Sequence, residues 1–430
     1  MKKSILITSI VLLTLTLLGI ALYFYLPIGE VNPETGEVTT VRDYFPIAGE
    51  QPSEGGSQTS GAFGQGEGEE GRSATDSSGA AGDAEQQTLP ALRRISEAPI
   101  AGATVFAEGA GTSSDVTVRF VDRAKGHVLQ ASIRRGGLTL ISSETLSQIY
   151  RAEWLTENSA LIQQIQNSFQ PVTQLLVVNE ENAADGANGT ADVYYYPEQI
   201  DQVAPAPGSE RFAMIELLRD GGSALSILSS SGDRGQIFTH PITEWQLDWP
   251  SEGTLTLTTK PGHGVNGYLY TLDTTGSTFR RLLGDIPGLT ALLSPDETRF
   301  LYSESTANRF RLRHRSLEDG SQRVLGSTTL PEKCVWSSAA PAVAYCAVPS
   351  SIPAGTYPDD WYQGRVHFAD ALVRLDLADS QTTPLIDLSA RAREDIDAVD
   401  LFLGPNEEYL FFTNKNDGFL WSYRLDGTSN

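Results

Sequence analysis

The sequence has few of the residues on which common active sites depend. Its 430 residues include only 5 His and 2 Cys, and no pair of histidines has an HExxH-type spacing. It also lacks a GxSxG nucleophile elbow and a glycine-rich loop of the Walker or dinucleotide-binding type. These absences leave no residue to nominate as catalytic, no metal-ligand set and no cofactor site.

Basic residues are scarce as well. The chain has 31 Lys and Arg against 54 Asp and Glu, which gives a net charge of −23. A surface that binds the phosphate backbone needs clustered Lys and Arg, so we expect no nucleic acid as a partner. Amphipathic helical patterns are also rare, whereas Thr, Ser, Gly, Tyr and short apolar runs are frequent. This pattern predicts an all-β fold.

The one long apolar run lies at the N-terminus. Ser4–Leu26 has no charged residue and, as a helix, is long enough to span a hydrocarbon core of about 30 Å. Lys2 and Lys3 precede it and favour a cytoplasmic start. A cleaved signal peptide is the alternative, but Tyr23–Pro27 occupies the place of the small-residue cleavage site. We therefore expect residues 1–26 to be a signal-anchor transmembrane helix in the plasma membrane, with the rest of the chain extracytoplasmic.

Residues 27–90 have a different composition. They contain 12 acidic and 2 basic residues and are rich in Gly, Ser and Glu. Such a segment cannot bury enough apolar surface to offset the entropy that its ordering would cost. We expect it to be a flexible acidic linker that tethers a domain at residues 91–430 to the membrane.

One hairpin recurs along that domain. In Gly288–Ser303 an apolar run meets a turn at Ser294–Glu297, and an alternating strand follows. The residue before the turn is, in successive copies, Trp154, Pro205, Trp249, Leu293, Trp336 and Leu403, at spacings of 51, 44, 44, 43 and 67 residues. Periods in the forties are typical of four-stranded units arranged in a ring. With a further unit at Thr117–Ile133, the sequence predicts a seven-bladed β-propeller of four-stranded antiparallel blades.

The two ends of the domain complement each other. The last unit stops after Phe419–Leu425 and lacks a fourth strand. Ala91–Ser96, with the sequence ALRRIS, resembles the fourth-strand segment Phe279–Gly284, with the sequence FRRLLG. We predict that residues 91–96 complete the C-terminal blade, because ring closure removes an exposed sheet edge.

The hairpins also carry a family resemblance. SPDETRFLYS, from Ser294 to Ser303, is similar to the SPDG-type hairpins of TolB-like and WD40-like β-propellers. No copy has the full Ser-Pro-Asp-Gly turn, and no strand ends in Trp-Asp as WD40 blades do. The chain also resembles bacterial single-pass membrane proteins with an outward-facing propeller. The resemblance implies the fold and implies no particular activity.

The 67-residue spacing contains an insertion, Val348–Asp370. Its prolines, acids and aromatics suggest a recognition loop on one propeller face. The candidate binding residues are Tyr357, Asp359, Asp360, Trp361 and Tyr362. The alternative is a lid that packs Tyr357 and Trp361 onto the domain's own core. The adjacent aspartates lack the spacing of a DxDxDG-type calcium loop.

Cys334 and Cys346 flank another of the hairpins. With the turn between Trp336 and Ala344, the two cysteines face each other in an antiparallel pair. They are a candidate disulfide, and an oxidising compartment would permit it. Two reduced core cysteines are the alternative.

These observations favour a binding or scaffold protein of the cell envelope over an enzyme. Its partner would be an envelope protein or a cell-wall component. The alternative is a hydrolase or lyase that acts on polysaccharide with carboxylates around the propeller channel. Acids that converge on the channel would favour the enzyme, and an exposed aromatic patch would favour the binding protein.

Overall fold

The computed structural model describes residues 89–108, 115–165, 171–179, 189–196, 199–230 and 233–425, together with two short strands nearer the N-terminus. Those strands, β1 (Glu30–Val31) and β2 (Val38–Thr39), pair with each other and belong to a unit of residues 1–84. The predicted anchor at residues 1–26 and nearly all of the predicted linker at 27–90 lie outside the described residues. Within the described ranges, no helix has the length and apolar content needed to cross a bilayer.

Seven four-stranded antiparallel sheets form the second unit, residues 85–430. In blades 1 to 3 the strands are β4 (Ile100–Glu108), β5 (Asp115–Asp122), β6 (Val128–Ser132), β7 (Leu138–Ser142), β8 (Ile149–Thr156), β9 (Ser159–Ile165), β10 (Pro171–Asn179), β11 (Thr190–Tyr196), β12 (Ile200–Pro205), β13 (Arg211–Leu217), β14 (Ser223–Ser229) and β15 (Arg234–His240). In blades 4 to 6 they are β16 (Trp245–Ser251), β17 (Thr254–Thr259), β18 (Asn266–Asp273), β19 (Phe279–Pro287), β20 (Thr290–Leu293), β21 (Arg299–Ser305), β22 (Phe310–Ser316), β23 (Gln322–Val324), β24 (Cys334–Trp336), β25 (Val343–Pro349), β26 (Asp370–Asp376) and β27 (Gln381–Asp387). In blades 1 to 6 the strands pair in chain order.

Blade 7 is built from both ends of the propeller. It contains β28 (Ala398–Leu403), β29 (Tyr409–Asn414) and β30 (Leu420–Arg424), and its fourth strand is β3 (Leu92–Arg94). The backbone N–H of Ile95 extends this pairing by donating to the carbonyl of Leu420 at 2.7 Å. The seven-bladed propeller of four-stranded antiparallel blades is therefore confirmed.

The hydrophobic core lies between neighbouring blades. Trp249 of blade 4, for example, is buried in one cluster with Ala213 and Leu225 of blade 3. Burial of each such large side chain stabilises the fold by roughly 2–3 kcal/mol. First strands of several neighbouring blades contact one another, as β4 contacts β8 and β12 contacts β16, so these first strands are innermost. At Gly102 the contact is so close that a Cβ would lie 1.9 Å from the carbonyl oxygen of Ala152.

The recurrent turn has a local structural role. In Ser294–Glu297, the Asp296 carboxylate accepts bonds from the Ser294 hydroxyl at 2.5 Å and the Thr298 hydroxyl at 2.8 Å. The Ser294 hydroxyl also contacts the Arg299 backbone. These bonds add to the backbone bond that the Ser294 N–H donates to the Arg299 carbonyl at 3.0 Å. The Asp296 carboxylate is therefore engaged in hydrogen bonds that stabilise the turn.

The insertion in blade 6 joins β25 to β26. It contains a one-turn helix, α1 (Asp359–Tyr362). A second short helix, α2 (Leu388–Ala392), follows β27, and short 3-10 helices lie at Pro331–Lys333 and Pro405–Glu407. Loops between second and third strands lie at the same end of a propeller as the connections between blades, because the strands alternate in direction. The insertion, called the lid below (residues 350–369), therefore lies beside Pro331–Lys333.

Candidate functional site

Cys334 and Cys346 lie opposite each other in the register of β24 and β25. They form a disulfide, with their Cα atoms 4.1 Å apart. Both belong to the core cluster between blades 5 and 6, beside Leu312 of β22. Of the two alternatives that the sequence left open, the structure thus has the disulfide, and its role is structural.

The inner side of the lid packs on the propeller. Tyr357 is 0% exposed and Trp361 is 3% exposed. They share an aromatic cluster with Phe310, Leu330 and Phe368, in which the Tyr357 and Phe310 ring centroids are 5.0 Å apart. These two candidates therefore do not belong to an exposed recognition surface. Their placement matches the alternative of a lid, because large apolar rings gain more from burial than from exposure.

Of the remaining lid candidates, Asp359 contacts blade 4, whereas Asp360 forms bonds within the lid. An Asp359 carboxylate oxygen accepts from the backbone N–H of His263, in blade 4, at 2.7 Å. Asp360 accepts from the backbone N–H of Thr356 at 2.6 Å and forms an ion pair of 2.8 Å with Arg365. Among the described residues, no group of three or more His, Cys, Asp or Glu side chains is arranged to hold a metal ion.

Tyr362 is the one exposed aromatic residue of the five candidates, with 38% of its surface accessible. Its hydroxyl accepts a bond from the Gln246 side chain at 3.1 Å and donates to the Glu332 carboxylate. The ring is partly exposed, but protein surrounds the hydroxyl; this local burial, followed by the charge of Glu332, raises the Tyr362 pKa well above its usual value. Tyr362 therefore joins the lid of blade 6 to the innermost strand of blade 4.

Elsewhere among the described residues, the large exposed aromatic residues are Tyr194 and Tyr195, and they do not form one patch. Tyr194 and Tyr195, on β11 at the outer edge of blade 2, are 56% and 65% exposed. They are consecutive in a strand, so their side chains point to opposite faces of the sheet. Their arrangement offers no continuous apolar surface.

A cavity of about 790 Å³ occupies the centre of the propeller. It is lined mainly by the innermost strands of blades 1, 2, 3, 4 and 7, and we call it the channel. Among the described residues, its polar lining comprises Thr104, Tyr150, Arg151, Glu153, Asp248, Asp400 and Thr413.

Charges of both signs converge among these described lining residues of the channel. The Arg151 guanidinium donates to the Glu153 carboxylate at 2.5 Å, and the charge of Glu153 raises the Arg151 pKa. Asp248 and Asp400 are exposed toward the channel while protein surrounds them on their other sides. This burial raises the pKa of both carboxyls, and the negative charge of Glu153 raises it further. The channel thus has three carboxyl groups for one guanidinium.

Irregular backbone positions these side chains. The pairing of β8 with β9 shifts register on both sides of the Arg151–Glu153 segment. The pairing of β16 shifts directly after Asp248, and that of β28 shifts across Asp400, whose φ is 51°. Bulges of this kind turn side chains out of the regular alternation. A positive φ at a non-glycine residue costs on the order of 1 kcal/mol, and such conformations are concentrated at functional sites.

The sequence analysis nominated none of these channel acids among the 54 acidic residues. A signal was nevertheless present. Glu153 directly precedes Trp154, and Asp248 directly precedes Trp249, so an acid adjoins the repeat's marker tryptophan in two blades. Both tryptophans are buried on innermost strands. An acid next to such a marker is therefore close to the propeller axis.

Comparisons with known proteins identify similar folds but no similar sequence family. Neither protein-family models nor curated protein sequences match the chain. Among solved structures it is similar to oligogalacturonate lyase from Vibrio parahaemolyticus, at 10% identity and a TM-score of 0.52, over 80% of this chain and 95% of that chain. It is also similar to TolB from Acinetobacter baumannii, at 12% identity and a TM-score of 0.40, over 75% of this chain and 79% of that one.

A third similarity is to the tricorn protease, at 9% identity and a TM-score of 0.45, over 79% of this chain. The match spans only 34% of the tricorn protease chain. At such low identities these similarities show the fold alone. The predicted propeller is confirmed, and TolB structures are among its structural neighbours.

Proposed function

We propose that this protein is a membrane-anchored, extracytoplasmic binding module of the cell envelope, and that its ligand enters the central channel. The observation that supports this most directly is the cavity of about 790 Å³ with Arg151, Glu153, Asp248 and Asp400 in its wall. Ligand sites are typically concave, with a few convergent polar groups, and have volumes of roughly 300–1,000 Å³. The channel has these properties.

The charges of the channel indicate the chemistry of the ligand. With Glu153 and Arg151 paired, Asp248 and Asp400 provide an excess of negative charge. A group that carries an ammonium or guanidinium would be attracted to them. We therefore favour a basic side chain of an envelope protein, or an amino group of a cell-wall component, as the bound group.

The location is supported by two separate features. Ser4–Leu26 has the length and composition of a transmembrane helix, and the acidic residues 27–90 suit a tether. The disulfide between Cys334 and Cys346 is compatible with an oxidising compartment. An extracytoplasmic propeller satisfies both.

The test compares channel variants with surface variants of equal charge. Full-length protein in detergent is mixed with isolated bacterial cell walls and, separately, with solubilised envelope proteins. Asp248→Asn combined with Asp400→Asn should reduce recovery of the bound component at least tenfold. The control, Glu252→Gln combined with Glu318→Gln, removes two exposed acids from hairpin turns. Equal recovery with both double variants would contradict a channel site.

An enzyme that acts on polysaccharide is the second candidate, and the converging acids favour it. Asp248 and Asp400 have raised pKa values, whereas Glu153 is paired with Arg151. Carboxyl groups in such different environments can serve as acid and base. Binding requires only the cavity and its charges, whereas hydrolysis also requires an acid and a base placed about one glycosidic bond.

The same charges restrict the substrate of such an enzyme. The acidic excess would repel a polyanion such as oligogalacturonate, so a neutral or amino-sugar polymer is the better candidate. Release of reducing ends from chitin and peptidoglycan glycans would be measured, with Asp248→Asn as the inactive variant. If neither polymer releases reducing ends, the enzyme hypothesis is contradicted and binding remains the proposed function.

A further inference from the structure

The strongest unassigned cluster outside the channel is a buried lysine between two aspartates. Lys333, Asp370 and Asp397 each have a side chain that is 0% exposed. The Lys333 Nζ is 2.8 Å from Oδ2 of Asp370 and also contacts Oδ1 of Asp397. It further donates to the Ala398 carbonyl at 2.8 Å. Lys333 ends a 3-10 helix, Asp370 begins β26, and Asp397 immediately precedes β28.

We propose that Lys333 and Asp370 are a site of self-catalysed amide-bond formation, in which Asp397 transfers the proton. The Lys333 amine and the Asp370 carboxyl are in direct contact. The Asp397 carboxylate, which would accept and then donate the proton, also contacts the amine.

The two groups are enclosed by protein. The Lys333 Nζ lies 5.3 Å from the centroid of the Trp361 ring and 5.5 Å from that of Phe368. The reaction begins with transfer of one proton from Lys333 to Asp370, whose charged carboxylate is disfavoured by burial. Burial raises the Asp370 pKa to about 6. Among the described residues, the Asp370 Oδ1 has no hydrogen-bond partner, so it can hold that proton.

The step balances without a further reactant. The neutral Nζ attacks Cγ of Asp370, and the negative charge that develops on Oδ2 is held by the Ala398 backbone N–H, 2.7 Å away. Asp397 Oδ1 takes a proton from the nitrogen and passes it to the hydroxyl at Oδ1 of Asp370. The C–O bond then breaks, water leaves, and an amide joins the two side chains. Nothing is oxidised or reduced.

Asp397 is held in place for this role. Its second oxygen, Oδ2, accepts from the Trp361 indole N–H at 2.9 Å and from the Phe368 backbone N–H at 3.1 Å. Both donors belong to the lid, so a closed lid completes the site. The amide would then tie the first residue of β26, directly after the lid, to the 3-10 helix that precedes β24.

The direct test is the mass of the full-length protein after reduction and denaturation. We expect a mass below that of the sequence by one water molecule, and a branched proteolytic fragment that contains both Lys333 and Asp370. A mass equal to that of the sequence would overturn the proposal, as would a branched fragment that joins Lys333 to a different residue.

Variants assign the roles. Lys333→Arg and Asp397→Asn should each restore the full mass, the first by removing the nucleophile and the second by removing the proton acceptor. Lys415→Arg is the matched control, because the Lys415 Nζ lies 5.0 Å from the same Trp361 ring but donates to the Trp361 carbonyl. It should keep the loss of one water. Loss of water that persists in Lys333→Arg would overturn the assignment.

Discussion

Leu92, at the beginning of the propeller, lies directly opposite Tyr423, at its end, in an antiparallel ladder. Both side chains are buried in the cluster that fills the contact between blades 6 and 7. This short strand therefore contributes to closing the ring, and it pairs residues that are far apart in the chain.

Removal of this strand should destabilise the propeller. A chain that begins at residue 97 loses the buried Leu92 side chain and the ladder to β30, which together contribute about 3 kcal/mol or more. We expect the melting temperature to fall by roughly 5 °C or more. A chain that begins at residue 89 keeps the strand and is the matched control. Equal melting temperatures for the two chains, measured by circular dichroism, would show that the closure does not stabilise the ring.

The disulfide of blade 6 should stabilise the folded state. Cys334 and Cys346 are 12 residues apart, and closing a loop of this size contributes about 3 kcal/mol in the chain-entropy account. Urea unfolding with and without a reductant measures the difference. The double variant Cys334→Ser with Cys346→Ser should unfold at the reduced protein's midpoint and show no response to the reductant. A wild-type midpoint that the reductant does not change would contradict this expectation.

Two adjacent lid aromatics should respond very differently to truncation. Trp361→Ala empties a buried site beside Phe368 and should lower the free energy of unfolding by roughly 3–5 kcal/mol. Tyr362→Ala removes a partly exposed ring with a hydrogen bond to Gln246 and should cost about 1 kcal/mol. Chemical denaturation of both variants provides the comparison. Similar losses would place Trp361 outside the core.

His314 should make the propeller less stable in mild acid. It lies on β22, is 5% exposed, and its Nε2 has no hydrogen-bond partner among the described residues. Burial, and then the charges of Arg323 and Arg299, lower its pKa from 6.5 to about 4. Between these values the unfolded chain binds the proton more strongly, so stability falls as the pH falls from about 6.5 to 4. The full effect is roughly 3 kcal/mol.

His314→Phe should remove this loss, as measured by urea midpoints at pH 7 and pH 4.5. His367→Phe, at an exposed position of the lid, is the control and should keep the wild-type dependence. Asp370 acts in the opposite direction, because a carboxyl with a folded pKa of about 6 favours the folded state below that pH. Its contribution is common to all three proteins and cancels in the comparison. It would vanish altogether if Asp370 formed the proposed amide.

Local chemistry was enough to predict the architecture. The hairpin turns, the apolar alternation and the repeat spacing are determined by neighbouring residues, so Trp154, Trp249 and Trp336 correctly marked innermost strands. Antiparallel register follows from the position of a turn, and for that reason the sequence could place Cys334 opposite Cys346. These features require no knowledge of which blade lies next to which.

Side-chain direction in the lid required the tertiary structure. From the sequence, Tyr357 and Trp361 are expected either in an exposed recognition loop or in the core. Which one they take depends on Phe310, Leu330 and Phe368, which come from blade 5, the connection to blade 6, and the lid itself. Periodicity cannot decide this, because the insertion has no repeat.

For the channel, too, the sequence predicts one part and the tertiary structure decides the other. The sequence by itself determined a seven-bladed ring, hence a central axis, because each blade repeats the same local hairpin chemistry. Only the tertiary structure decided that Glu153, Asp248 and Asp400 meet there. They come from three blades, and backbone bulges, which turn patterns do not predict, set the direction of their side chains. The physical reason is that electrostatic proximity depends on how blades close around the axis, whereas the blades themselves form from contacts between near neighbours.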